Sequence, residues 1–291
     1  MSETEQKYPS QICLVAMFKN ESQIFKEWLD HYIHQGVDRF FLIDNGSTDN
    51  FQDILAPYIQ ANILEYVTDT ARHMQKPLYN QYYLEKSKQY GWCIPCDLDE
   101  FIYARKGYKT IKEYLHHLPP HVTQVFLPWK VFGSNGFNTL DKPQPPSVVQ
   151  TFTKRLNYDK KDNLNGIALE GDIKFGIHKA IVRGSVLTYI NIHYHDTNTK
   201  IENYITTNKE DSHEYIHSNL FFTRIDEKIL EDSALHLNHY VIQSFDWFMR
   251  VKATRGDGDC FMSDNARDAN YFHSFDMSAN DIDDFELARI I

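Results

Sequence analysis

The sequence has 291 residues and a formal net charge of −10 at pH 7, which argues against a nucleic-acid-binding surface because neutralising phosphates needs a face rich in Lys and Arg. Hydrophobic residues make up 42% and aromatic residues 14%, as in a globular chain with room for one large α/β domain. The first residues form no apolar leader, and no apolar run reaches the ~18 residues of a membrane span. We therefore expect no transmembrane segment and a cytoplasmic protein, or one peripheral at the inner face of a membrane.

Strands and helices alternate along the first third of the chain. The apolar run 12–17 has the length and continuity of a parallel strand covered on both faces. Ile24, Trp28 and Tyr32 then repeat at i, i+4 and i+8, which predicts an amphipathic helix that Gly36 ends. Further strands are predicted at 39–43, 63–67 and 92–96, and helices at 51–58 and 77–90. This alternation predicts a mostly parallel sheet with helices on both faces, whose ligands bind beyond the carboxyl ends of the strands.

The pattern is looser after residue 101. Three prolines without periodicity at 138–147 indicate a long surface loop, and no clear domain break is visible. We expect a single domain over residues 1–291. The predicted elements of this part are helices at 110–118, 244–254 and 281–291, and strands at 124–129, 148–156, 173–183 and 186–193.

The strand predicted at 92–96 stops at two aspartates one residue apart, Asp97 and Asp99. Ionised carboxylates this close repel each other unless a cation lies between them. Mg²⁺ and similar hard ions prefer oxygen ligands and are often completed by substrate phosphates. The pattern therefore predicts an Mn²⁺ or Mg²⁺ site that attracts a diphosphate, with a solvated turn as the alternative. If the two carboxylates only repel each other, replacing Asp99 should cost little free energy of unfolding.

Three motifs, in this order and spacing, resemble the metal-dependent GT-A glycosyltransferases, and more narrowly glycosyltransferase family 92 and its bacterial family-2-like relatives. They are Ala16-Met17-Phe18-Lys19-Asn20-Glu21, Asp44-Asn45-Gly46-Ser47-Thr48-Asp49 and Asp97-Leu98-Asp99-Glu100-Phe101. The likeness continues at Trp129, Phe132-Gly133-Ser134-Asn135-Gly136, residues 152–155 and 179–183, His193, Asn238-His239-Tyr240 and residues 244–256. Ala180 and Gly184 depart from the Lys-Ser-Ile-Val-Arg-Pro that is usual there.

The resemblance implies a Rossmann-like GT-A fold with a C-terminal α+β elaboration. Residues of about 10–130 would bind the nucleotide-sugar, residues of about 131–260 would bind the acceptor and complete the metal shell, and 261–291 would form a tail. The implied activity is metal-dependent, inverting transfer of a hexose, galactose or glucose, from a UDP-sugar to a glycan hydroxyl. A lipopolysaccharide or capsule is one such acceptor, which would place the protein in polysaccharide biosynthesis.

The resemblance also implies roles for individual residues. The expected metal ligands are Asp97 and Asp99, completed by His193 or His239. The expected nucleotide-sugar contacts are Asn20, Glu21, Asp44, Asn45, Asp49, Asp97, Lys179, Arg183, Lys252 and Arg255. The expected acceptor contacts are Trp129, Phe132 and Gly133. The general base is expected at Asp257 or Asp246, with Glu170 and Asp196 as further candidates.

Three other readings of the residues are open. A protein of this fold could bind a nucleotide-sugar or glycan without turnover. A dehalogenase-like phosphohydrolase would use Asp97 as a nucleophile, although its Asp-x-Asp follows the first strand of its core rather than the fourth. Cys93 and Cys96 have the spacing of a thioredoxin-type redox pair, but they would lie at the end of a strand rather than at the start of a helix.

Overall fold

The computed structural model describes residues 6–139, 147–160, 176–207, 216–217, 221–222, 225–255 and 267–290. The strands are β1 (Tyr8–Phe18), β2 (Arg39–Asp44), β3 (Leu64–Thr68), β4 (Tyr90–Pro95), β5 (Glu100–Ala104), β6 (Gln124–Val131), β7 (Lys154–Arg155), β8 (Gly176–Arg183), β9 (Leu187–Tyr189), β10 (Asp196–Thr197), β11 (Tyr204–Thr206), β12 (Ile216–His217), β13 (Phe221–Phe222), β14 (Leu235–His239) and β15 (Ile282–Asp283). The α-helices are α1 (Ser22–His34), α2 (Phe51–Gln60), α3 (Gln75–Ser87), α4 (Ile111–His116), α5 (Val148–Thr151), α6 (Glu227–Asp232) and α8 (Ala269–Ser278). Helix α7 joins an α-turn, Phe245–Trp247, to a π-helical stretch, Phe248–Lys252, and a second α-turn, Ala253–Arg255. None of these helices is both long enough and apolar enough to cross a bilayer.

The first four strands form the parallel half of the large sheet, in the order β3-β2-β1-β4. Side chains of β1 alternate between its two faces, so that Leu14 belongs to the same buried cluster as Trp28 of α1, while Val15 belongs to a second cluster with Tyr83 of α3. Because helices cover both faces, β1 is an unbroken apolar run rather than an alternating one. The predicted α/β sheet with helices on both faces is confirmed.

The second half of the sheet mixes strand directions and continues from β4 in the order β8-β6-β14-β5. Strand β8 is antiparallel to both β4 and β6. Strand β14 is parallel to β6 and antiparallel to β5. This half combines β5 and β6, from the region expected to bind the nucleotide-sugar, with β8 and β14 from the C-terminal part of the chain. The sequence pattern does not predict β5 and β14.

The short link between β4 and β5 makes the sheet curl. Three strands lie between them in the sheet order, and strands about 4.8 Å apart would separate β4 from β5 by roughly 19 Å in a flat sheet. The link runs from Pro95 to Glu100, and five residues reach about 18 Å only when fully extended. It is folded, since the Glu100 N–H donates to the Asp97 carbonyl at 3.1 Å. The sheet must therefore bend until the Asp-x-Asp turn lies where its two halves meet.

Three predicted elements differ from the structure. The strand predicted at 186–193 is limited to β9, Leu187–Tyr189. The other two differ because distant contacts decide them. Residues 148–156 form α5 and the short β7 rather than one strand, since Ser147 caps the helix and Glu27 of α1 accepts from the Val148 N–H at 2.8 Å. Residues 281–290 do not form the helix predicted at 281–291. They begin with β15, which pairs with β7, and end in a 3₁₀ turn at Leu287–Arg289.

Buried ion pairs fix the C-terminal segment 281–290 to the sheet. Asp284 lies 2.6 Å from the Lys130 ammonium and 2.7 Å from the Arg155 guanidinium. Asp276 of α8 accepts from the Ser134 N–H at 2.7 Å, in the loop that follows β6. The chain beyond α7 therefore positions the loop that the sequence predicts to bind the acceptor.

Candidate functional site

The polar loops that follow β1 and β2 are joined by hydrogen bonds, as expected where parallel strands end side by side. The Asn20 N–H donates to the Ser47 hydroxyl at 3.0 Å, and the Asn20 side-chain oxygen accepts from the Thr48 N–H at 2.7 Å. The Ser22 N–H donates to Asp49 Oδ2 at 2.8 Å. Asn20 has a φ of 56°, a left-handed conformation in which Asn is enriched. The two loops thus form one wall of the site.

The Asp-x-Asp turn is held in place by side chains of α1 and α3. The Trp28 indole donates to the Asp97 and Glu100 carbonyls, at 3.2 Å in each case. The Tyr32 hydroxyl donates to the Glu100 carbonyl at 3.1 Å. The Gln75 amide donates to Asp97 Oδ1 at 3.1 Å. These contacts fix the backbone of the turn and one carboxylate oxygen. The sequence pattern places Trp28 on the apolar face of a helix but does not indicate that Trp28 or Gln75 contacts the site, because no local pattern distinguishes them from ordinary helix residues.

Both aspartates of the turn have a buried lysine as counter-ion. Lys179 of β8 lies 2.8 Å from Asp97 and 3.4 Å from Glu100, and its side chain is 2% exposed. The Lys252 ammonium of α7 contacts Asp99 Oδ2, and these side chains are 6% and 3% exposed. The two lysines come from elements far apart in the sequence, a strand and a helix, and the tertiary fold brings both to the turn.

A third ion pair joins α7 to the loop after β1. The Arg255 guanidinium lies 2.6 Å from Glu21 Oε2, and Glu21 is buried. Arg255 also donates to the Lys19 carbonyl at 3.4 Å. We call the resulting group the charge cluster. Its members are the carboxyl groups of Glu21, Asp97, Asp99 and Glu100 and the cations of Lys179, Lys252 and Arg255.

Burial and charge pull the carboxyl groups of the cluster in opposite directions. Burial raises the pKa of Glu100 to about 8, although the nearby Lys179 acts against this shift. Burial also acts to raise the pKa of Asp97 and Asp99, but Lys179 outweighs it at Asp97, and Lys252 with His239 outweighs it at Asp99. Both aspartates are thus held below their usual pKa and are ionised at neutral pH.

Two of the predicted residues, His239 and Trp129, lie beside Asp99. His239 Nε2 is 3.5 Å from Asp99 Oδ2, and burial lowers the pKa of this imidazole. The Trp129 ring packs on His239 with centroids 4.1 Å apart, and on His193 with centroids 5.6 Å apart. His193 Nδ1 lies 2.9 Å from the His178 carbonyl, which occupies one of its ring nitrogens. Of the two candidate histidines, the structure brings His239 to the turn.

The donor set suits a divalent ion that arrives with phosphate oxygens of its own. Carboxylates and imidazole are ligands of Mn²⁺, and Mg²⁺ is usually held by one or two carboxylates plus substrate phosphates. Nδ1 of His239 is buried without a hydrogen-bond partner in the described part of the chain. Among the same residues, no three His, Cys, Asp or Glu side chains stand close enough together to hold a metal by themselves. The residues therefore fit an ion shared with a diphosphate.

The remaining polar side chains of the first wall are not equally available to a ligand. Both oxygens of Asp44 accept from the protein, one from the Ser47 N–H at 2.7 Å and one from the Thr68 hydroxyl at 3.2 Å. The Asn45 amide donates to two carbonyls of the loop after β3. Asp49 differs, because its Oδ1 is buried without a hydrogen-bond partner among the described residues. Asp49 is thus the acceptor that this wall can offer to a ribose or base.

Arg183 lies away from the charge cluster. It pairs with Trp92 at the start of β4, and its guanidinium stacks on the Trp92 ring at 4.3 Å and donates to the Val122 carbonyl at 2.6 Å. A strand rises about 3.3 Å per residue, so four residues along β8 separate Arg183 from Lys179 by about 13 Å. The structure does not bring Arg183 together with the other predicted nucleotide contacts.

The predicted acceptor residues have different surroundings. Phe132 is 1% exposed and packs on Tyr240 with ring centroids 4.8 Å apart, which leaves no ring face for a sugar. Gly133 packs against the carbonyl of Ala279, where a Cβ would approach to 2.5 Å. Phe137, later in the same loop, is 42% exposed. The exposed aromatic ring of this loop is therefore Phe137.

The two candidate bases are placed differently. Asp257 lies outside the described residues. Asp246 lies in the first turn of α7, and its N–H donates to the Asn138 carbonyl at 2.9 Å, so it adjoins the loop after β6. Its carboxylate is 45% exposed and lies 2.8 Å from Arg250. Asp246 is therefore an accessible carboxylate next to the predicted acceptor loop. The further candidate Asp196 is an exposed residue of β10, and Glu170 also lies outside the described residues.

The cysteine pair does not have the surroundings of a redox site. Cys93 and Cys96 are buried, and burial raises the pKa of the Cys96 thiol well above its ordinary value. A reactive thiol requires the opposite, a lowered pKa in an accessible position. The structure favours a packing role for both.

The sheet is parallel in one half, and the two aspartates follow the carboxyl end of its central strand β4. In open α/β sheets, ligands such as nucleotides bind at this position, beyond the carboxyl ends of the strands. The family model of Glycosyltransferase family 92 matches residues 8–247. The chain belongs to this family. Lys252 and Arg255 lie beyond the matched region.

The relatives are distant and longer. A glycosyltransferase family 92 protein of Oryza sativa subsp. japonica is 23% identical over 190 residues, which are 63% of this chain and 29% of that protein. One of Ricinus communis is 28% identical over 101 residues, 34% of this chain and 18% of that protein. The chain thus spans less than a third of the length of these curated relatives.

Among solved structures, S. aureus TarS in complex with UDP is similar to this chain. The identity is 14% and the TM-score 0.36, with 60% of this chain and 47% of that chain covered. The complex of TarS with UDP-GlcNAc gives 15% identity and a TM-score of 0.34, with 60% of this chain and 46% of that chain covered.

Proposed function

We propose that this protein is a glycosyltransferase that moves a hexose, galactose or glucose, from a UDP-sugar to a glycan hydroxyl such as one of a lipopolysaccharide or capsule. Membership of glycosyltransferase family 92 supports the reaction class. The main structural support for the site is the pair of ionised carboxylates, Asp97 and Asp99. They lie in the turn where the two halves of the sheet meet, next to Lys179 and Lys252.

In this proposal the wall formed by the loops after β1 and β2 holds the nucleoside, with the unpaired Asp49 Oδ1 as its polar acceptor. Asp99 and His239 would hold an Mn²⁺ or Mg²⁺ ion, with phosphate oxygens of the donor as further ligands. When bound, the ion supplies Lewis-acid stabilisation of the departing diphosphate. Asp97 is kept in place by Gln75 and Lys179, and it would orient the donor through a metal-bound water or the ribose.

The acceptor would approach over the loop after β6. Phe137 offers an exposed ring to a sugar face, and Asp246 adjoins the same loop. We assign Asp246 as the base that deprotonates the attacking hydroxyl in an inverting transfer. Its exposure keeps it accessible to an acceptor hydroxyl from solvent.

The two other classes fit the site less well. A phosphohydrolase needs Asp97 as a free nucleophile, but both of its carboxylate oxygens accept bonds from Gln75 and Lys179. A protein that only binds glycans would not need the buried charges of the cluster, since burying them costs free energy. A protein that binds a nucleotide-sugar without turnover would bind the donor but release no UDP from it.

Calorimetric titration of UDP into the protein, with Mn²⁺ and again with EDTA, tests the proposal. We expect binding with Mn²⁺ that EDTA abolishes, followed by UDP release from UDP-galactose or UDP-glucose. Asp246→Asn should retain UDP binding and lose transfer to an acceptor. If UDP binds in neither condition, the glycosyltransferase proposal is wrong; if Asp246→Asn transfers at the wild-type rate, the base lies elsewhere.

A further inference from the structure

Lys252 occupies the carboxylate that the proposed function assigns to a metal ion. Its ammonium contacts Asp99 Oδ2, and both side chains are almost completely buried. A divalent ion and an ammonium on the same buried oxygen would repel each other strongly, because little solvent is present to screen them. One cation must therefore leave Asp99 when the other binds.

The segment that carries Lys252 departs from a regular helix. Residues Phe248–Lys252 form a π-helical stretch, a conformation that is rare and frequent at functional sites. One extra residue in a turn rotates everything that follows by about 100° relative to a continuous α-helix. The stretch starts at Phe248, which is buried in the core, and is followed by Arg255, which is fixed to Glu21. The π-helical stretch thus brings the Lys252 ammonium to Asp99, while Phe248 on one side and Arg255 on the other hold the helix in position.

The two buried lysines of the cluster differ in their number of partners. Lys179 lies within 3.4 Å of two carboxylates, Asp97 and Glu100, and remains neutralised by one if the other is taken. Lys252 pairs with Asp99 alone among the residues that the structure describes. A cation that loses its only counter-charge in a buried position needs a new one. The diphosphate of the donor can supply it.

We propose that Lys252 is an exchangeable counter-ion: it neutralises Asp99 in the free protein and moves to the donor diphosphate when the metal ion takes its place on Asp99. This inference rests on the proposed function and adds a binding order to it. Metal alone must displace a buried cation that has no other carboxylate partner among the described residues. A diphosphate alone meets the negative charge of Asp97 and Asp99. Metal and nucleotide should therefore bind together far better than either binds alone.

The test measures Mn²⁺ binding to the whole protein by the loss of the free-ion EPR signal, with and without UDP. For the wild type we expect UDP to raise the Mn²⁺ affinity roughly tenfold or more, within the usual range of coupling between two ligands. In Lys252→Met, Mn²⁺ alone should bind about tenfold tighter than to the wild type, so the gain in Mn²⁺ affinity from UDP should be smaller than in the wild type. Lys26→Met is the matched control, since Lys26 is an exposed lysine paired with Asp30 within α1.

The arms of the experiment separate the two proposals. If Lys252→Met binds Mn²⁺ alone no more tightly than the wild type or Lys26→Met, the exchange is refuted whatever UDP does. If UDP binds to no variant, the proposed function fails, while the Mn²⁺ titration without nucleotide still decides the exchange. Should Lys252→Met not fold, the wild type decides: equal Mn²⁺ affinity with and without UDP overturns the inference.

Discussion

Replacing Asp99 by alanine should destabilise the protein, although two adjacent repelling carboxylates suggest a small effect. In the structure Asp99 neutralises the buried Lys252, and His239 Nε2 lies 3.5 Å from the same oxygen. Alanine would leave the Lys252 ammonium buried without its counter-charge. Removing one partner of a buried ion pair costs about 3–5 kcal/mol. Since 1 kcal/mol shifts Tm by about 2–4 °C in domains of 150–250 residues, we expect a Tm lower by on the order of 10 °C.

The pH dependence of this loss follows from Lys252. Burial already lowers the pKa of Lys252, and Asp99 is the charge that counteracts the shift. Without Asp99 the pKa should fall further, so at neutral and mildly alkaline pH the unfolded variant binds more protons than the folded one. Stability rises with pH wherever the unfolded state binds more protons. The deficit of the variant should therefore shrink between pH 7 and pH 10.

Urea unfolding and thermal melts at several pH values measure these effects. Asp246→Ala is the control, because the exposed pair of Asp246 and Arg250 should contribute no more than about 1 kcal/mol. Adding Lys252→Met to Asp99→Ala should recover part of the loss, since no uncompensated ammonium remains. A Tm for Asp99→Ala within about 2 °C of the wild type at pH 7 would refute the reasoning.

Two further predictions concern stability elsewhere in the fold. Burial lowers the pKa of His31 and His236 to about 4 and of His195 to about 3. In the unfolded chain these histidines bind protons below about pH 6.5, so the free energy of unfolding should be intact above that pH. Below it, the free energy of unfolding should fall by up to about 1.4 kcal/mol per pH unit for each histidine, down to pH 4. Melts that show a flat Tm from pH 7 to pH 4.5 would contradict the buried, neutral state of these rings. Gly133→Ala should destabilise the protein by about 1–3 kcal/mol, because the added Cβ would approach the Ala279 carbonyl to 2.5 Å. Gly107→Ala and Gly136→Ala serve for comparison: both glycines have a positive φ, 90° and 79°, and open space around the added Cβ. These two variants therefore measure the cost of backbone strain without a steric clash. Hydrogen exchange of residues 132–137 should increase in Gly133→Ala, and unchanged exchange with unchanged Tm would show that the contact with α8 is loose.

The sequence by itself determined the parallel half of the fold and the position of the Asp-x-Asp turn. The unbroken apolar run of β1, the helical repeat of Ile24, Trp28 and Tyr32, and the polar residues at strand ends are all local patterns. Burial on both faces, the period of a helix and the chemistry of a turn act within a few residues. Such features can be predicted without knowing which strands are neighbours.

Only the tertiary structure decided which charges meet at the turn. Lys179 is 82 residues from Asp97 in sequence, and it reaches that carboxylate because β8 lies antiparallel beside β4. Arg183, on the same strand, lies instead against Trp92 near the other end of β4. The sequence also gave no sign that Phe132 would be buried while Phe137 is exposed. Strand order, the curl of the sheet and the π-helical stretch set these outcomes. They depend on the free energy of the whole packed sheet, which no local pattern of residues contains.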